Sequence, residues 1–184
     1  MGRRREDLLE EGLGILATDG PDGLTVQALC GKLGCTKGSF YHHFRGRDDY
    51  VRGLLEFWIS EYTLKVISKT DQASDRRERR EHMLRNALAV PKGPEAAIRA
   101  WAVRNPLVEE YTRRADTLRM GYLRDLFGLF TADVERARLL ARATYTLFLG
   151  SRFISPPLGE TEYRELITQL TGQLVGPAGA AGNG

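Results

Sequence analysis

From Gly23 through Arg47 the sequence contains no Asp or Glu, while Lys32, Lys37, Arg45 and Arg47 stand there beside His42 and His43. Acidic residues crowd both flanks, at Asp19, Asp22, Asp48 and Asp49. Cations with no carboxylate among them attract phosphate, which makes this window a candidate nucleic-acid surface; the alternative is a solvated face. The chemistry on offer is binding. Two cysteines, Cys30 and Cys35, and three histidines leave no ligand set at zinc spacing, and adjacent His42 and His43 on a helix point about 100° apart, so no metal is expected. The cysteines read as small buried apolar residues, with a thiol redox sensor as the other reading. The sequence has no Gly-x-Ser-x-Gly, Walker loop, dinucleotide fingerprint or Glu-x-x-His pair, so neither an enzyme nor a cofactor is expected.

The elements around this window decide what it can reach. Leu8, Leu9, Leu13, Leu16 and Ala17 recur at helical spacing, and the turn formers Asp19-Gly20-Pro21-Asp22-Gly23 close that first helix. Thr25 stands as N-cap before Val26, Ala28, Leu29 and Leu33, and Gly34 follows where a helix takes a left-handed residue. Thr36 caps a third helix whose Phe40 and Phe44 form an inner edge, with Gly46 as its stop. A short capped helix, a Gly turn and a second short helix have the spacing of a helix-turn-helix. With Phe40 and Phe44 as anchors, Gly38, Tyr41 and His42 face outward and Lys37 and His43 lie at the margins. Gly38 lets the backbone approach base edges, and Lys37 can reach a guanine O6 or N7.

Downstream the pattern stays helical. Tyr50, Val51, Leu54, Leu55, Trp58, Tyr62 and Val66 predict a long unbroken fourth helix from Asp48. Further helices are expected over 76–88, 95–104, 107–130, 133–152 and 160–175, separated by residues 71–75, by Pro91, Gly93 and Pro94, by Pro106, and by Pro156, Pro157 and Gly159. The stretch Leu139 to Leu149 is apolar nearly all round and must be covered on more than one side. The Gly- and Ala-rich end, 176–184, is expected to be disordered. With 184 residues, 42% hydrophobic and 28% charged, the rest fits a globular all-α protein. Met-Gly-Arg-Arg-Arg runs into acidic residues and not into an apolar signal region, and no apolar run approaches the ~20 residues of a membrane span, so a cytoplasmic protein is expected.

Positions 24 to 50, and within them Lys37-Gly38-Ser39-Phe40-Tyr41-His42-His43-Phe44, closely resemble the DNA-binding signature of the TetR family of transcriptional repressors. Trp101 to Pro106, Trp-Ala-Val-Arg-Asn-Pro, is similar to a segment found in one branch of that family. The family usually has Ala at the position of Cys30, Val at that of Cys35 and Lys at that of Arg47; the first two support buried cysteines, the third keeps its charge. The resemblance implies a three-helix DNA-binding domain, 1–47, followed by a helical ligand-binding and dimerisation domain, 48–175. It implies phosphate contacts from Tyr41, His43 and Arg47, and from the hydroxyl and helix N-terminus at Thr25. Thr36, Lys37, Gly38, Ser39 and His42 complete the DNA-facing set.

The expected partners are therefore double-stranded DNA, a second copy of the chain, and a small-molecule effector. Trp58, Tyr62, Met83, Trp101, Tyr111, Met120 and Tyr122 offer aromatic and adaptable lining for the effector, although residues at this spacing also build cores. The helices 133–152 and 160–175 carry the most unexplained apolar surface, and predict a four-helix interface through Ala137, Ala141, Thr144, Phe148, Tyr163, Ile167, Leu170 and Leu174. Two readings of function stay open: a ligand-responsive repressor on a palindromic operator, and a DNA-binding regulator whose second domain is only a dimerisation scaffold.

Overall fold

The computed structural model describes residues 4–156 and 158–174, so the tail 176–184 lies outside the described residues. Ten α-helices run in chain order: α1 Arg5–Asp19, α2 Val26–Leu33, α3 Lys37–His43, α4 Arg47–Ile59, α5 Lys65–Thr70, α6 Arg76–Leu88, α7 Lys92–Ala102, α8 Pro106–Gly128, α9 Val134–Gly150 and α10 Glu160–Leu174. No strand occurs among the described residues, and the fold is all-α as expected.

Local chemistry accounts for most of the boundaries. Asp75 accepts from the Arg77 and Glu78 amides and opens α6, and Asp133 accepts from Arg136 N and opens α9. Pro106 occupies the first position of α8, where a missing N–H costs nothing. The expected start of the seventh helix at Glu95 shifts to Lys92, because Pro94 sits in the first turn, whose amides have no intrahelical acceptor anyway. The expected unbroken fourth helix is interrupted by a π-helical turn over 60–64. The wide turn changes the register, so that Thr63 follows Trp58 and Ile59 into the interior while Tyr62 is only half-buried.

Packing divides the chain into two units, residues 1–65 with 91–115 and residues 66–90 with 116–184. This cut differs from a division at residue 47 because α7, distant in sequence, packs along α1. In the first unit Leu8, Leu9, Leu13, Ile15 and Leu16 of α1 meet Leu29, Phe40, Phe44, Leu54, Leu55 and Trp58, all buried. Burying side chains of this size contributes about 1.5–3 kcal/mol each before conformational entropy is subtracted. Tyr50 is the keystone here: its hydroxyl donates to Leu8 O at 2.8 Å, and its ring stands 4.9 Å from that of Phe44 and 5.3 Å from that of Phe40. The close approach requires Gly12, since a Cβ there would fall 2.0 Å from Tyr50 Oη.

In the second unit Leu123, Leu126 and Phe127 of α8 pack against Ala137, Leu140, Ala141 and Tyr145 of α9, with Met83 and Met120 against the same cluster. Arg76, at the start of α6, donates to Leu129 O at 2.9 Å and lies over the Phe130 ring.

Candidate nucleic-acid interface

The turn between α2 and α3 is fixed by backbone closure. Gly34 adopts φ 61°, ψ 36°, a left-handed conformation that glycine takes without steric cost. Its amide bonds to Gly31 O at 3.4 Å and the Cys35 amide to Cys30 O at 3.0 Å, the paired bonds of a Schellman motif. Thr25 Oγ1 accepts from Ala28 N at 3.1 Å and Thr36 Oγ1 from Ser39 N at 3.2 Å, so both helices begin on hydroxyl caps.

These caps, with the buried anchors Phe40 and Phe44, set the orientation of α3. Lys37, Gly38, Tyr41 and His42 are exposed, as are Thr25, Thr36 and Arg47, while Ser39 and His43 are half-buried. Tyr41 is 58% exposed and meets Phe40 edge-on at 5.4 Å, so its ring is propped on the core with the phenol toward water. His42 and His43 stand edge-on at 5.0 Å. A side chain at Gly38 would meet only Thr36 Oγ1, at 3.6 Å, so the backbone there is open to a ligand's approach. Arg47 reaches back to Pro21 O at 3.5 Å, which holds its guanidinium beside the turn before α2.

The charges sort themselves. Lys32, although exposed, pairs with Glu11 at 3.7 Å and is directed at α1; Lys37, Arg45 and Arg47 are exposed as well. Asp49, on the acidic flank, accepts from Arg45 N at 2.9 Å and so caps the entry to α4, where it also complements the helix dipole. Of the nine residues of the expected DNA-facing set, Thr25 and Thr36 cap α2 and α3, six lie in α3, and Arg47 opens α4.

The segment 8–52 matches the model of the bacterial regulatory proteins of the tetR family. The likeness to that family's model is carried by this segment, about a quarter of the chain. The fold is similar to those of solved transcriptional regulators. A transcriptional regulator from Rhodococcus sp. Rha1 superimposes with a TM-score of 0.77 at 17% identity, over 94% of this chain and 96% of that one. A putative TetR-family transcriptional regulator from Rhodococcus sp. gives 0.75 at 17% identity, over 95% and 100%. A putative transcriptional regulator from Saccharomonospora viridis in complex with choline gives 0.73 at 14% identity, over 90% and 93%. No curated protein matches the chain.

The expected effector residues fall in both units. Trp58, Tyr62, Trp101 and Tyr111 belong to the first unit, and Met83, Met120 and Tyr122 to the second. Trp58 is fully buried, Met83 and Met120 pack on the α8–α9 cluster, and Tyr122 donates to Asp71 at 2.8 Å, a bond that with burial pushes its phenol up. Tyr62 lines a groove of about 580 Å³ within the first unit, together with Leu13, Ala17, Phe57, Pro91 and Pro94. Sequence reasoning missed a polar cluster in the second unit: Tyr145 donates to Asp116 at 2.6 Å and accepts from Arg119, itself only 7% exposed, at 3.3 Å. The signal available was Asp116 and Arg119 three apart on one helix face.

Of the expected interface residues, Ala137, Ala141, Tyr163 and Ile167 are buried by their own chain, and burial pushes the Tyr163 phenol up to about 12. A small residue on an apolar helix goes wherever the tighter neighbour lies, and here that neighbour is α8 for both alanines. Thr144, Phe148 and Leu170 are half-buried, and the side chain of Leu174 lies outside what is described. Among the described residues, Val134, Leu139 and Leu166 are exposed large apolar side chains of α9 and α10. No helix among the described residues is long and apolar enough to cross a membrane, and no group of three His, Cys, Asp or Glu there could hold a metal ion.

Proposed function

We propose that the protein is a homodimeric, ligand-responsive repressor of transcription, acting in the cytoplasm, whose two α3 helices enter successive major grooves of a palindromic operator. The observation that carries this reading is α3 itself: a helix anchored by Phe40 and Phe44 that turns Lys37, the bare backbone at Gly38, Tyr41 and His42 to solvent. Lys37 reads a base edge, and Tyr41, His43, Arg47 and the capped start of α2 at Thr25 hold phosphates, with Thr36, Ser39 and His42 at the same face. Roles divide near residue 47, with 48–175 serving dimerisation and effector binding. Val134, Leu139 and Leu166 are exposed apolar residues of α9 and α10 that a second copy covers. The choline in the Saccharomonospora viridis relative supports a small-molecule effector here.

A second reading keeps DNA binding and drops the effector. It is favoured by the packing of Met83 and Met120 onto the α8–α9 cluster, where they fill core and do not wait for a ligand. Selection from random duplex DNA with the purified protein at low salt tests both. A palindromic consensus bound by a dimer supports the proposal, and failure to enrich any sequence overturns it.

A further inference from the structure

Cys30 and Cys35 lie within the helix-turn-helix but take no part in the DNA-facing set. Backbone closure puts them together. Cys30 begins the last turn of α2, Gly34 is the left-handed residue beyond it, and Cys35 follows, with its amide on Cys30 O at 3.0 Å. A Schellman closure of this kind places the side chains of its first and last residues against one another, normally as an apolar contact. Here both ends are thiols. A disulfide needs Cα atoms about 4.4–6.8 Å apart, and the 3.0 Å bond from the Cys35 amide to Cys30 O draws the two backbones together. Cys30 is 7% exposed and Cys35 is half-buried, so an oxidant reaches Cys35 first and Cys30 is the shielded partner. Burial first, then the hydrogen bond and charge of the neighbouring Cys35 thiol, push the Cys30 thiol up, against the pull of Lys37.

We infer that Cys30 and Cys35 are an oxidant-sensitive modification site, which a peroxide converts to an intramolecular disulfide across the turn before α3, and that the bridge weakens DNA binding. The sulfur of Cys35 attacks one peroxide oxygen and becomes a sulfenic acid, with release of one water. The Cys30 sulfur then attacks the Cys35 sulfur, gives up its proton and expels the sulfenic oxygen as a second water. Two thiols lose two electrons and the peroxide gains them. The bridge draws the sulfurs to about 2.05 Å. Cys35 adjoins Thr36, the cap of α3, and Lys37 and Gly38 come next, so a displacement at Cys35 is delivered to the start of the helix that meets the bases. Hydrogen bonds to base edges tolerate only a few tenths of an ångström.

The effect on DNA rests on the reading of α3 given above; the bridge itself does not. The full-length reduced protein is treated with hydrogen peroxide, its intact mass is measured, and its binding to the selected duplex is followed by fluorescence anisotropy. The expected result is a monomer lighter by two hydrogens, affinity reduced about tenfold, as for loss of one base contact, and recovery of both with dithiothreitol. Cys35→Ala should bind DNA as the reduced protein does and ignore peroxide, and Cys30→Ala should gain oxygen at Cys35 without losing two hydrogens. Oxidation that stops at added oxygens in the unmutated chain, a bridge between two chains, or a bridge that leaves affinity unchanged would each overturn the inference. If the reduced protein binds no DNA, the reading of α3 fails, while the mass spectrum still decides the bridge.

Discussion

Gly12→Ala tests whether the DNA-facing helix rests on the contact between α1 and α4. A Cβ at position 12 would lie 2.0 Å from Tyr50 Oη and 3.1 Å from both Tyr50 Cζ and Leu54 Cδ1. The ring cannot simply swing away, because it is wedged against Phe40 and Phe44 and its hydroxyl is bonded to Leu8 O. Overpacking of this kind costs about 1–3 kcal/mol, and a phenol stripped of its acceptor while still buried costs about 1–3 kcal/mol more. Replacing a helical glycine by alanine returns about 0.5–1 kcal/mol. The net loss is therefore about 3 kcal/mol, or roughly 6–12 °C in Tm for a chain of this size.

The decisive measurement is a double-mutant cycle followed by chemical unfolding. In the Tyr50→Phe background the atom at 2.0 Å is gone and the nearest is a ring carbon at 3.1 Å. Gly12→Ala should then cost less than about 1.5 kcal/mol, giving a coupling of at least about 1.5 kcal/mol between the two sites. Strictly additive losses, or an alanine variant as stable as the parent, would refute the account of Tyr50 as the keystone.

Three other perturbations read separate parts of the molecule. Arg47→Ala should weaken all DNA about equally and lower the salt slope by about one unit, whereas Lys37→Ala should cost about 1–3 kcal/mol on the selected duplex and less on scrambled DNA; titrations on both duplexes at two salt concentrations compare them, and equal losses for Lys37→Ala would make it a phosphate contact. Leu139→Glu with Leu166→Glu places charges on open surface and should yield a folded monomer by light scattering, whereas an unchanged dimer would put the interface elsewhere. Asp75, held below its ordinary range by the Glu78 and Arg77 amides, stabilises α6 when ionised; its folded pKa is depressed, so its contribution is present above the unfolded pKa and fades as pH falls through the folded one. An Asp75→Asn variant should flatten the acid limb of a helicity titration, and an unaltered limb would contradict this.

The helix-turn-helix was legible because everything that shapes it is local. Thr25, Thr36 and Gly34 act within four residues of themselves, and Phe40 and Phe44 define an edge one turn apart. The rest depends on distant partners. Nothing near Gly12 announces Tyr50, 38 positions on, as its neighbour. Nothing around Lys92 says that α7 will lie along α1. Ala137 and Ala141 suit a core and an interface equally, and only the placement of Leu123, Leu126 and Phe127 decides between them. Periodicity gives the face of a helix but not what meets it. Tyr145 reads as one apolar residue among many, and its bonds to Asp116 and Arg119 cross 26 to 29 positions.

Those distant contacts also constrain how any effector could act. An effector changes DNA binding only if it favours one arrangement of the DNA-facing helices over another. Within the first unit, α1 touches α2, α4 and α7, and α3 touches α2 while leaning through Phe40 and Phe44 on Tyr50 of α4. Tyr50 in turn is bonded to Leu8 of α1. A displacement of α7 therefore reaches α3 through α1 and its contact with Tyr50, and the length of that path is set by rigid, buried residues. The same argument explains the severity expected of Gly12→Ala: it strains a joint through which α1 holds α4 and, by way of Tyr50 and the two phenylalanines, the start of the face proposed to meet DNA.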